Sequence, residues 1–125
     1  MGSVQHAVRR KLSTGDLLYT NARCAEFEIG EIDDDGLALL LGSGRNSVKL
    51  PWACWEGIPA MLSHKGWMKV GSAFSSDGEP DTLDEYLKGF TGVLTSRWVA
   101  RVLEEAGVVE TDRGPPLMIR LIAKN

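Results

Sequence analysis

The chain is short of the residues that build metal sites and disulfide frameworks: 125 residues contain two cysteines and two histidines. Cys24 and Cys54 are far apart, and with His6 and His64 they form no Cys-x-x-Cys or His-x-x-x-His spacing. Both thiols are therefore expected to be reduced, and no metal or other cofactor is expected. Long apolar runs are also missing. The longest, Leu37 to Leu41, stops at Gly42, well below the roughly 18 residues a membrane helix needs. Arg9, Arg10 and Lys11 are not followed by an apolar block that would make a signal peptide, so a cytoplasmic chain is expected. A Gly-rich phosphate loop, a serine elbow and a pair of catalytic acids are absent as well, and Cys54 and His64 have no third partner in sight, so the expectation is a protein that is not an enzyme.

No single sign of charge dominates. The net charge is −3, but residues 1–23 balance to +3 and residues 24–44 to −6, while 45–82 and 83–125 each balance to zero. The head is basic, the next segment is acidic and the rest is neutral. A strong attraction for nucleic acid needs clustered cations, and no segment supplies them in number. The remaining composition, 43% apolar and 25% charged, is that of a folded domain with one core.

Local patterns predict an α+β chain. Residues 1–12 read as a flexible basic N-terminus, and 13–125 as a single compact domain. Within it, 13–50 form a small antiparallel β-meander. Ala25, Phe27 and Ile29 alternate with Glu26 and Glu28 as in a half-buried strand. Asp35-Gly36 predicts a type I′ hairpin turn, Leu37–Leu41 the return strand, Gly42–Gly44 a second turn, and Val48–Leu50 a third strand. Asp33, Asp34 and Asp35 do not complete a calcium loop, and a turn explains them.

Pro51 to Lys65 has helical spacing at Trp52, Trp55, Ile58 and Leu62, but Pro59 predicts two short pieces. Trp67–Val70 is a short strand and Gly71–Pro80 a loop. Thr82-Leu83-Asp84-Glu85 is a capping box that starts a helix with Leu83, Tyr86, Leu87 and Phe90 on its buried face. Thr95 or Ser96 caps the next helix, whose stripe of Trp98, Val99, Val102, Leu103 and Ala106 ends at Gly107. Val108–Thr111 and Leu117–Ile122 close the chain as a hairpin. At least two of Trp52, Trp55, Trp67 and Trp98 are expected in the core.

From Pro51 onward the order is helix, strand, helix, turn, helix, strand, turn, strand. This order, and the stretch TSRWVARVLEEAGVVETDRGPPLMIRL in particular, resembles the winged helix-turn-helix superfamily over the last 75 or so residues. The resemblance implies a meander followed by a winged helix that binds nucleic acid, double-stranded DNA above all. The chain would then be a transcription regulator or a recognition module of a phage, defence or DNA-modification system. The helix after Thr95 would lie in the major groove, presenting Thr95, Ser96, Arg97, Ala100 and Arg101 as its exposed positions. Arg113, at the tip of the wing, would reach a phosphate. The competing expectation is a protein-protein interaction module, or a homodimer, that keeps the winged-helix fold without binding DNA. It would show an exposed apolar patch around Trp52 and Trp55.

Overall fold

A computed structural model describes residues 3–20, 25–42, 44–63, 66–70, 82–91, 95–113 and 117–122. The first element is a helix, α1 (Ser3–Lys11), which corrects the expectation of a flexible basic N-terminus. Val4, Val8 and Leu12 recur at helical spacing and are buried. Its first turn lacks an acidic residue, and the cap comes from elsewhere: the Glu56 carboxylate accepts the N–H groups of Val4 (3.1 Å) and Gln5 (2.7 Å). Arg9, Arg10 and Lys11 lie in the last turn, where cations complement the helix dipole.

Four strands follow, β1 (Leu17–Tyr19), β2 (Glu26–Ile32), β3 (Gly36–Leu41) and β4 (Asn46–Pro51), in an antiparallel sheet of that same order. The expected meander is thus present, with β1 as an additional strand. Its registers are Leu18↔Phe27, Ile29↔Leu39 and Leu39↔Val48. One extra residue of β2 between Ile29 and Ile32 shifts the pairing with β3, a bulge that lets Ile29 and Ile32 both face inward.

The turn between β2 and β3 is not type I′, because neither Asp35 nor Gly36 has positive φ. Asp33 organises it instead: Oδ1 accepts N–H from Asp35 (2.9 Å) and Gly36 (3.1 Å). Gly36 already belongs to β3, where a Cβ would overlap the Leu50 carbonyl on β4.

Helix α2 (Trp52–Leu62) is continuous, with Pro59 inside it, which corrects the expectation of two pieces. A mid-helix proline costs roughly 3 kcal/mol. Trp52, Cys54, Trp55, Ile58 and Leu62 are all buried along this one helix, and burying large side chains at about 1.5–3 kcal/mol each outweighs that loss.

A second antiparallel sheet is built from β5 (Met68–Lys69), β6 (Val109–Asp112) and β7 (Met118–Leu121), in the order β5-β7-β6. Between β5 and β6 come two helices, α3 (Leu83–Leu87) and α4 (Ser96–Glu105). The Thr82 side chain caps α3 by accepting the Glu85 N–H at 3.1 Å. The helix ends before Phe90, which is exposed where the sequence stripe placed it inward. Tyr86 on α3 donates its hydroxyl to the Cys54 carbonyl at 2.6 Å, and Gly57 leaves the room that hydroxyl needs. Gly107, with φ of 81°, terminates α4: the Val108 N–H bonds Leu103 O and the Gly107 N–H bonds Glu104 O, the paired closure of a left-handed C-terminal residue.

Buried side chains from both sheets and from α1, α2, α3 and α4 form one cluster that includes Val8, Phe27, Leu39, Trp55, Leu103 and Ile119. No helix among the described residues is long and apolar enough to cross a membrane. The segment 71–80, read from sequence as a loop, lies outside the described residues, as do Cys24 and His64.

Candidate interaction surface

Helix α4 was expected to present its N-terminal residues to a ligand, and the structure distributes them differently. Thr95 and Ala100 are fully buried and Ser96 nearly so. This corrects their expected exposure. The cause is the position of α4: it is flanked by α1, α3, β1 and β6, so its buried arc widens beyond the Val99, Val102 and Leu103 stripe. The solvent side is left to Arg97, Trp98, Arg101, Glu104 and Glu105, two cations against two anions.

Arg101 is held on three sides. Its Nε donates to the Tyr19 carbonyl at 3.0 Å, and its terminal nitrogens lie 3.0 Å from Glu105 and 3.6 Å from Glu104. Glu104 also accepts the Thr111 hydroxyl at 2.7 Å, which ties the same network to β6. Arg97 is half-exposed and has a polar or electrostatic partner of its own. Arg113, just past β6, is exposed, and Gly114–Pro116 beyond it lie outside the described residues. Thr95, Ser96, Arg97 and Arg101 are therefore close together by helical adjacency, with only the two arginines reaching solvent.

The tryptophans divide as expected between core and surface, but not with the expected patch. Trp52 and Trp55 are buried, and their indole N–H groups donate to Asp33 O (2.6 Å) and Leu50 O (3.2 Å). Trp67 is partly exposed and carries the Arg120 guanidinium 4.5 Å from its ring centre. Trp98 Nε1 and Thr95 Oγ1 are buried without a hydrogen-bond partner among the described residues.

Of the exposed large apolar side chains, Leu17 and Tyr19 lie together on the four-stranded sheet, while Trp67, Phe90 and Ile122 are elsewhere. One face carries Phe27, Ile29, Leu37, Leu39 and Leu50 into the core. The other carries a cross-strand row, Leu17↔Glu28↔Leu40↔Ser47, with Tyr19 and Glu26 beside it. Leu17 is 47% and Tyr19 50% exposed. Sequence reading missed this face because it took residues 13–20 as part of an undivided meander; the short apolar run Leu17-Leu18-Tyr19 after Gly15 was the available signal.

Three titratable side chains are shifted by their surroundings. The Cys54 thiol is pushed up to about 11 by burial, and the Tyr86 hydroxyl to about 12 by burial and then by Cys54. Asp33 moves the other way, held down to about 2 chiefly by the Lys49 ammonium 2.6 Å away. Among the described residues no group of three or more His, Cys, Asp or Glu side chains is arranged to hold a metal ion. Comparison with family models, curated proteins and solved structures finds no match to this chain.

Proposed function

We propose that residues 52–121 form a winged helix-turn-helix, and that the chain is a non-catalytic protein-binding module whose contact surface lies on the preceding β1–β4 sheet. The fold reading is supported by the element order α2, β5, α3, α4, β6, β7 and by the sheet order β5-β7-β6. The first strand returns to pair with the last, which seats the closing hairpin against the helix that precedes it.

The observation that carries the functional reading is the state of Arg101. A helix that reads a groove needs cations free to displace counterions from phosphates. Here the guanidinium is engaged by a backbone carbonyl and two carboxylates, and the solvent side of α4 has no net charge. α1 and β1 also lie against α4, on the flanks a groove would have to occupy. The uncovered sheet face with Leu17 and Tyr19 offers the apolar contact area that protein partners use.

One observation favours the DNA reading, as a regulator or recognition module: Arg10, Lys11 and Arg113 are exposed and make no ion pair among the described residues. Fluorescence anisotropy with labelled mixed-sequence duplex, in a salt series, separates the two. The protein-binding reading expects no saturable duplex binding at protein concentrations up to about 10 µM at low salt. It also expects a photo-crosslinking residue at position 17, but not at Lys88, to form a protein adduct in cells. Duplex binding that weakens steeply with salt and falls on Arg97→Ala with Arg101→Ala overturns it.

A further inference from the structure

The outer face of the β1–β4 sheet is specific in what it can accept, and this inference rests on the protein-binding reading. Its central row alternates apolar and acidic groups across the strands: Leu17 on β1, Glu28 on β2, Leu40 on β3. Strands lie about 4.8 Å apart, so the two leucines stand roughly 10 Å apart with a carboxylate between them. Leu17 is about half exposed and Leu40 partly so.

The charges on this face are unbalanced in a repeated way. Glu26 and Glu28 share one cation, Arg45, at 3.6 and 3.8 Å. Glu31 and Asp33 share one cation, Lys49, at 3.7 and 2.6 Å. Among the described residues each pair of carboxylates thus meets a single cation. Arg45 reaches its pair from a backbone with φ of 52°, a conformation that costs a non-glycine residue of order 1 kcal/mol, in contacts that are solvent-exposed and weak.

The edges of the sheet are closed to strand addition, which leaves the face. The Tyr19 carbonyl on the free side of β1 takes the Arg101 Nε. The other edge, β4, carries Lys49 and ends at Pro51, the residue types that blunt an exposed edge.

We infer that this face binds a basic, partly apolar segment of another protein, one that sets a lysine or arginine between two apolar side chains so that the cation meets Glu28 and the flanking groups meet Leu17 and Leu40. A second copy of the chain is a poor occupant. Two-fold pairing would bring together two copies of a face on which four carboxylates meet two cations, doubling the excess of negative charge in one contact.

The test uses the full chain, labelled with 15N, and the hexapeptide (Lys-Leu) repeated three times. The controls replace every lysine by glutamate, or every leucine by serine. The expected result is shift changes at the Leu17, Tyr19, Glu28 and Leu40 amides with the lysine-leucine peptide alone. Affinity should weaken at least about threefold between roughly 50 and 300 mM salt. Leu17→Ser and Glu28→Gln, both at partly exposed positions, should each lower affinity by about threefold or more while the thermal midpoint stays unchanged. Shifts confined to other residues, or equal binding of the glutamate peptide, overturn the surface assignment. That failure is distinct from failure of the protein-binding reading, which duplex binding in the anisotropy series would signal.

Discussion

Asp33 illustrates how much one side chain settles in this chain. Its carboxylate closes the β2–β3 turn through the Asp35 and Gly36 N–H groups and takes the Lys49 ammonium from β4, while its carbonyl accepts the Trp52 indole. Because its folded pKa is lowered to about 2, its stabilising effect is fully present above the ordinary carboxylate value and is lost as pH falls from about 4 towards 2. A series of thermal midpoints between about pH 5 and pH 2 should therefore fall less steeply for Asp33→Asn than for the parent, starting from a lower value; parallel curves would refute the assignment. Thr95 is the opposite case. It occupies the N-cap of α4, yet its side chain makes no cap bond and Oγ1 is buried without a partner among the described residues. A cap threonine normally contributes about 1 kcal/mol. Here Thr95→Val is expected to be neutral or stabilising by up to about 1 kcal/mol in urea unfolding, since it removes an unsatisfied hydroxyl of similar shape. A loss of about 1 kcal/mol would show that the hydroxyl has a partner after all.

At the scale of elements, α1 is the clearest case of a helix made by its surroundings. Nine residues are too few to be helical alone in water, and this helix lacks an acidic first turn. Burial of Val4 and Val8 and the Glu56 carboxylate at its N-terminus supply what is missing. Glu56→Ala should cost about 1–2 kcal/mol, and amide exchange should accelerate first at residues 4–11; uniform acceleration across the chain would contradict a local cap. The apolar spacing of Val4, Val8 and Leu12 was legible beforehand, but the cap was not, because it lies 52 residues away. α2 makes the same point with the sign reversed. Pro59 is a strong local stop, and the helix passes through it because five buried side chains depend on its continuity.

For the molecule as a whole, one core ties the meander to the later helices, and Cys54 belongs to it with no exposed surface. Burial pushes its thiol up to about 11, and the thiolate is the reactive form. In a Cys24→Ser chain at about pH 8, alkylation of Cys54 by iodoacetamide should run on the order of a hundredfold more slowly than in the urea-unfolded chain. Fast labelling in the folded state would mean that α2 opens independently of the rest. The same integration bears on the proposed function, because α1 and β1 lie against α4 and narrow the side it presents to solvent.

Period and punctuation along the chain were enough to determine the α+β class, the β2–β3–β4 meander, the cap at Thr82, the stop at Gly107 and the closing hairpin, because each depends on residues a few positions apart. The tertiary structure alone decided that the N-terminus is a helix, that Thr95, Ser96 and Ala100 are buried, and that Arg101 is engaged by Tyr19, 82 residues away. Those outcomes depend on desolvation and on hydrogen bonds between distant segments. Such interactions come into being only when the chain closes on itself, so local pattern carries no record of them.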